Sequence, residues 1–471
     1  MLFVILACGA ASPARAQVDL VSLQNWGLEV FEEIDRTLQI PGTRLFAETA
    51  SLSGVHSGGF NARAFVWPAD TQFRVFNTLT QIQPATYTST LRQFSDQLHA
   101  AYWDAGYRSG AGGGDRFYDD NAHLVVALAE AYLLTNDPVY LDRAIDTHAF
   151  VLEGEDSAAG GGIYFKQNNF FSKDAISTLQ GARGAAMLYR ATGQMSFLDD
   201  ATRLLTWARS HIQRPNGLFY EGFIISTNNP GGLDLVNSAG VGISANLELY
   251  DATGSAAYLT EAQRIANQTL TRYFDSATGR INDEGYWAFE LVDALNNLYL
   301  HDRNPIWLNQ VKGAMVWLHD NKRDPNGHYG VFWGRNGTQV GALDTWNLNE
   351  QASVARAFLH TSTAIIPGDV NQDGIVTVAD LQAFIAGWLA NTSALSDLNK
   401  MQAGDLNRDG ITNAADFSLL RGAMNDAGIV IPRNAVLYMV PEPRAWLLGV
   451  IGCVLVGTQY RPLRILDERM S

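Results

Sequence analysis

Two carboxylates stand side by side at Asp119 and Asp120, within GDRFYDDNAHLVVALAEAYLLTND, Gly114 to Asp137. An apolar run with helical spacing follows at once. Adjacent acids at the head of a helix do one of two jobs. They cap it, since Asp is favoured at the N-cap and in the first turn. Or they form a catalytic pair, because cleavage of a glycosidic bond uses two carboxyls, held about 5–5.5 Å apart where configuration is retained. Two like charges that close raise one pKa and keep one carboxyl protonated near neutrality. No GxSxG, HExxH or P-loop pattern offers a rival chemistry. His123, one turn further on, reads as a hydrogen-bonded scaffold residue rather than a base.

A second set of oxygen-bearing residues lies far downstream. DVNQDGIVTVAD, from Asp369, and DLNRDGITNAAD, from Asp405, repeat one twelve-position pattern. In the first loop Asp369, Asn371 and Asp373 fill positions 1, 3 and 5, and Gly374 permits the sharp turn. Ile375 offers its backbone carbonyl, Thr377 stands at position 9, and Asp380 closes the loop. Asp405, Asn407, Asp409, Gly410, Ile411, Asn413 and Asp416 repeat the arrangement. The closing Asp replaces the Glu of an EF-hand. All-oxygen donors of this kind suit calcium.

The elements that must position the acid pair are helical. Runs are expected at 19–38, 68–83, 87–102, 119–135, 138–152, 173–192, 195–212, 234–253, 256–273, 286–302, 305–321 and 343–364. A phrase recurs in AYLLTNDPVYLDRA, LYRATGQMSFLDDA, LYDATGSAAYLTEA and, more loosely, LYLHDRNPIWLNQV. Each reads as one helix ending at a polar or Gly turn and another beginning at an apolar anchor, repeated about every fifty to sixty residues. Six such hairpins predict an all-α chain, a closed (α/α)6 barrel with its site at the loop-rich end. Tyr102, Trp103, Tyr164, Phe165, Trp287, Trp333 and Trp346 fall in or near loops, where aromatics stack on sugar rings or simply pack.

The chain has 471 residues, 47% hydrophobic and 17% charged, with a net charge of −15. It can bury a large core, and it lacks the Lys/Arg clusters that nucleic acid requires. Its two cysteines, Cys8 and Cys453, leave the central part without a disulfide or a cysteine-based metal site. The start, MLFVILACGAASPARAQ, reads as a signal peptide over 1–16. The remaining boundaries are a barrel over 17–366, a calcium module over 367–428, a linker over 429–439, a sorting segment over 440–464 and a tail over 465–471. After Pro441-Glu442-Pro443 an apolar run from Ala445 to Gly457 precedes Arg461 and Arg464, and it is short for a membrane span.

Three resemblances follow from these residues. YDDNAHLVVALAEAYLLTNDPVYLDRA, GGGIYF, SKDAISTLQGARGAAMLYRATG and GLFYEGF fall in the order seen in glycoside hydrolase family 76, which contains the endo-α-1,6-mannanases. That likeness spans roughly residues 20–364. It implies Asp119 as nucleophile, Asp120 as general acid/base, and a sugar site involving Tyr118, Tyr164, Lys173, Asp174, Tyr220, Trp287 and Trp333. The chain departs from the family pattern at Asp174, at Thr178, at Asn237 to Gly240 and around GYWAFE. The paired twelve-residue loops resemble the type I dockerin module, which implies structural calcium and a cohesin-like or surface-matrix partner. The Pro-Glu-Pro segment resembles the PEP-CTERM sorting signal. That implies export to the surface of a Gram-negative-type bacterium or beyond, with transient membrane association.

The leading expectation is therefore a secreted retaining glycosidase acting on α-mannan or a related polysaccharide, without a catalytic cofactor. Other readings stay open: an (α/α)6 uronyl hydrolase or sugar epimerase, or a non-catalytic carbohydrate-binding scaffold. An epimerase would need convergent histidines, and none of the nine forms an obvious pair.

Overall fold

The computed structural model describes residues 18–334 and 341–431 and divides the chain into two units, at Ile365 and Ile366. The first unit is built from twelve helices: α1 (Leu20–Thr37), α2 (Val66–Ile82), α3 (Pro84–Tyr102), α4 (Tyr118–Thr135), α5 (Pro138–Leu152), α6 (Ala175–Thr192), α7 (Met195–His211), α8 (Val236–Thr253), α9 (Ala256–Arg272), α10 (Gly285–Asp302), α11 (Pro305–Lys322) and α12 (Leu348–Ser362). The even-numbered helices pack each on the next, and α12 returns to α2, which closes an inner ring. The odd-numbered helices cover it, α1 lying on α12 and the others each on the inner helix before it in the chain. This is the expected (α/α)6 barrel.

The recurring phrase has a physical content. Inner helices α4, α6, α8 and α10 all end on a left-handed residue: Asn136, Gly193, Gly254 and Arg303. That conformation closes a helix and returns the chain, and glycine or Asn adopts it with least strain. Asp137 and Asn304 then cap the next helix, each followed by a proline suited to the first helical position. Inner helices bury most of their side chains, whereas outer ones such as α9 bury a stripe.

Several charged residues inside the ring are paired with one another. Arg74 of α2 bonds Glu290 of α10 and lies 3.0 Å from Asp293. Arg356 of α12 reaches Asp293 at 2.9 Å and Glu130 of α4 at 3.1 Å. Gly240 of α8 lets α10 come close, since a Cβ there would stand 2.6 Å from the Glu290 carbonyl carbon.

Seven short strands occupy the loops leading into the inner helices. β1 (Thr49–Ser51) pairs with β2 (His56–Ser57) and with β7 (Thr345–Asn347). β3 (Tyr164–Lys166), β4 (Asn169–Asp174), β5 (Gly222–Ile224) and β6 (Asn229–Gly231) form an antiparallel sheet in that order. They correct two helix boundaries. Lys173 and Asp174 belong to β4, and helix α6 begins only after Asp174, which caps it through Ser177 N–H at 2.7 Å. Likewise Thr345–Asn347 is strand, and Asn347 caps α12.

The second unit holds three helices, α13 (Val378–Ala386), α14 (Asp397–Gln402) and α15 (Ala414–Asp426). Val370, Leu381, Phe384, Leu420 and Met424 form its core. The expected signal peptide and sorting segment lie outside the described residues. Among the described residues no helix is long and apolar enough to cross a membrane.

Candidate active site

All six inner helices present their first turns, or the residues just before them, to one cavity of about 830 Å³. Trp67 and Pro68 come from α2, Asp119 and Asp120 from α4, and Asp174 from the N-cap of α6. Asn237 and Ser238 come from α8, Tyr286 and Trp287 from α10, and Asn349 and Glu350 from α12. This follows from the hairpin repeat: the tight turns close one end of the barrel, so the long connections and the inner-helix N-termini collect at the other. N-termini carry the positive end of the helix dipole, which favours acids there. The volume suits a small oligosaccharide.

Asp119 and Asp120 lie in the first turn of α4, but neither is its N-cap: that residue is Phe117, which offers no side-chain hydrogen bond. The Asp119 carboxyl does accept from backbone amides of its own turn, so the pair serves the helix head while facing the cavity. Asp119 Oδ1 is buried without a hydrogen-bond partner among the described residues. Burial, with Asp120 and Asp174 close by, pushes the Asp119 carboxyl well above the usual range. Burial also raises Asp120 to about 7, against the opposing pull of His123. Interacting carboxyls of this kind titrate as a pair, so near neutrality the pair retains a proton. Asp174 is raised to about 6, chiefly by burial, and Glu350 to about 7 for the same reason.

His123 is held from below. Its Nδ1 lies 3.0 Å from Gln180 Nε2, 3.4 Å from Glu290 and 4.0 Å from Asp70. Both Asp70 oxygens are buried and lack a hydrogen-bond partner among the described residues. Aromatic rings form the walls. Trp67 meets Tyr286 edge-on at 5.2 Å, Tyr286 meets Trp287 in the same way, and Phe117 meets Phe165 at 5.2 Å.

Of the residues expected at a sugar site, Asp174 and Trp287 line this cavity with the acid pair. The others are not among the residues that line it. Tyr118 is buried and stacks on Phe150. Lys173 is buried, pairs with Asp156 at 2.7 Å and packs against the Tyr164 ring, whose hydroxyl also bonds Asp156. Tyr220 packs under Arg214, while its neighbour Glu221 faces the cavity. Trp333 is 2% exposed and pressed against Gly285, where any Cβ would meet its Nε1 at 2.1 Å. Sequence reasoning missed Trp67, Tyr286 and Glu350, though each stands within the first turn of an inner helix. It also missed Glu48 and Phe60, whose loop carries no comparable signal.

The two twelve-residue loops share one geometry. Asp380 accepts Asn371 N–H at 3.1 Å and Thr377 N–H at 2.7 Å, and Asp416 accepts Asn407 N–H at 2.9 Å and Asn413 N–H at 2.8 Å. The side chains of Thr377 and Asn413 cap α13 and α15. Asn413 Nδ2 also donates to the Ile411 carbonyl at 3.1 Å. Asp369 and Asp405 bond Gly374 N–H and Gly410 N–H across their loops. Burial and the nearby Asp380 and Asp373 raise Asp369 to about 7, and Asp405 Oδ1 is buried without a hydrogen-bond partner among the described residues. Among the described residues no group of three His, Cys, Asp or Glu side chains is placed to hold an ion unaided. Each loop would instead combine carboxylates with Asn371 or Asn407 and the Ile375 or Ile411 carbonyl. That oxygen set fits a hard cation.

The profile of glycosyl hydrolase family 76 matches residues 46–288, and that of the type I dockerin domain matches residues 367–425. No curated protein matches the chain significantly. Among solved structures, a family 76 α-mannanase of Bacteroides thetaiotaomicron is 25% identical, covers 72% of this chain and 95% of its own, and superposes with a TM-score of 0.67. An α-1,6-mannanase of a Salegentibacter species is 19% identical over 73% of this chain and 100% of its own, with a TM-score of 0.63. An inactive variant of that enzyme, with two consecutive aspartates changed to asparagine, is described in complex with α-1,6-mannotriose, at the same identity, coverage and TM-score. This chain belongs to glycosyl hydrolase family 76, and it carries a type I dockerin domain behind its barrel.

Proposed function

We propose that the protein is an exported glycosidase that cleaves α-mannan at α-1,6 linkages and retains anomeric configuration. It rests on one observation above all: adjacent carboxyls in the first turn of α4, neither of them its N-cap, face a cavity walled by aromatics. The α-1,6-mannanases of the same fold, one of them inactive with two consecutive aspartates replaced, support the choice of bond. In this reading Asp119 attacks the anomeric carbon while Asp120 protonates the departing oxygen. Asp120 then takes a proton from the water that releases the sugar. The first turn of α4 supports charge on Asp119 through its dipole, and Trp67, Tyr286 and Trp287 offer faces for sugar rings.

The dockerin domain would hold calcium through Asp369, Asn371, Asp373, Ile375, Thr377 and Asp380 in one loop and their counterparts in the other. Calcium would neutralise the crowded carboxylates and fix the loops, and the folded domain would dock onto a cohesin-like partner. Export is supported by the sequence at residues 1–16, and surface sorting by that at 440–464.

Hydrolysis of debranched α-1,6-mannan by the wild type, Asp119→Asn and Asp120→Asn tests the reading. Each variant should lose about 10³-fold or more in turnover with its helical circular dichroism intact. Turnover within a few-fold of wild type in both would end the assignment.

A further inference from the structure

The cavity wall has an unusual charge balance. Glu48, Asp119, Asp120, Asp174, Glu221 and Glu350 line it, and none is in an ion pair among the described residues. Asp115 also lines it and is paired, with Lys166. His123 is the one basic side chain on the wall among the described residues. Elsewhere the barrel pairs its acids, as the contacts of Glu290, Asp293 and Glu130 with arginines show. The wall also holds a buried carboxylate oxygen, Asp119 Oδ1, with no hydrogen-bond partner among the described residues.

Hydrolysis needs two of these acids, and two others have structural work: Asp174 caps α6, and Glu48 accepts Phe65 N–H at 2.8 Å. Glu221 and Glu350 remain, although the Glu350 carboxyl also accepts the Asn347 backbone amide at the head of α12. Glu221 immediately precedes β5, the strand that pairs with the residues just before α6, and Glu350 lies in the first turn of α12. Helices α6 and α12 are opposite in the six-membered ring, so the two acids stand on opposite sides of the cavity. Carboxylates so placed accept hydrogen bonds from sugar hydroxyls or ammonium groups, and repel phosphate, sulfate and carboxylate within about a Debye length, ~8 Å at physiological salt.

We propose that the cavity selects glycan chains free of anionic groups, with Glu221 and Glu350 as the residues that reject phosphate, sulfate or uronate on the bound chain and welcome a protonated amine. This rests on the reading of the cavity as a glycosidase site. It also counts against a uronyl hydrolase, whose substrate is itself an acid.

The test compares debranched α-1,6-mannan with the same polymer chemically sulfated, at low and high salt. At pH 8, where Glu350 is ionised, sulfation should lower kcat/KM about tenfold or more at ~20 mM salt, and ~500 mM salt should restore much of it, since screening removes repulsion but not bulk. The Glu221→Gln/Glu350→Gln double variant should recover several-fold on the sulfated polymer at low salt and lose its salt response. Equal kcat/KM on the two polymers, or a loss indifferent to salt and to the double variant, would overturn the proposal. If the neutral polymer is not cleaved, the choice of mannan falls, and binding decides the charge rule. Fluorescence from the wall residues Trp67 and Trp287 should then show mannosamine binding tighter than mannose, and mannose 6-phosphate weaker. The reverse order would refute it.

Discussion

The barrel interior and the cavity at its N-terminal rim both gather carboxylates, and they treat them in opposite ways. In the interior, burial would raise Glu290 and Asp293, yet Arg74, Arg356, His123 and His360 hold both below the usual carboxylate range. One turn or two above, Asp119 and Glu350 have no such partner and Asp120 has only the pull of His123, and burial keeps all three high. The lesson is a division of labour along the inner helices. Their middles pair most of their charges, Asp70 apart, and specify the ring. Their first turns leave acids unsatisfied, a local cost that the paired middle offsets and that a substrate can relieve.

The largest expected effect concerns a third gathering of acids, the dockerin loops, which in this account are satisfied by a bound cation. A fragment spanning 367–428 should lose its helical circular dichroism when calcium is chelated and regain it on addition, because the loop carboxylates repel one another without the ion. A spectrum indifferent to chelator would place these loops with the paired interior instead.

The next effect breaks the interior. Arg74→Met leaves Glu290 and Asp293 short of a partner at sites that are 1% and 0% exposed. It should cost about 3–5 kcal/mol of stability, as removal of one partner from a buried pair does. Denaturant melts of the barrel would show this, and a loss below about 1 kcal/mol would mean that the network is not holding the ring.

Much of this was legible in the residues, for definite reasons. The αL turns at Asn136, Gly193 and Gly254 reveal the hairpins because few residues tolerate that backbone. The adjacent acids reveal the cavity because two carboxylates at one helix head are costly without a task. Lys173 and Trp333 misled for the converse reason: a loop cation and a loop indole look available until packing places one on Asp156 and the other over Gly285. Glu350 was invisible because a single acid on a chain of charge −15 carries no signal. The small sheets escaped because strands of two to six residues show no periodicity.

A smaller effect sharpens the contrast from the cavity side. Burial raises Asp120 and Glu350 to about 7 from ordinary values of 3.8 and 4.5. Their protonated forms therefore favour the folded state. That contribution is complete below about pH 4 and is lost as pH rises through about 7. The Asp119→Asn/Asp120→Asn double variant escapes the loss. It should be about 1–2 kcal/mol more stable than wild type at pH 8, with little difference at pH 4. A variant less stable than wild type at pH 8 would show that the acids support the fold.

The stereochemistry of the first product tests the central claim most directly. Two carboxyls on consecutive residues do not open readily to the roughly 6.5–9.5 Å that an inverting enzyme needs for its water. Proton NMR of α-1,6-mannan digestion, read before mutarotation, should therefore show the α-anomer first. A β-anomer appearing first would contradict the account, because one catalytic carboxylate would then lie elsewhere, with Asp115, Asp174, Glu221 and Glu284 next in line.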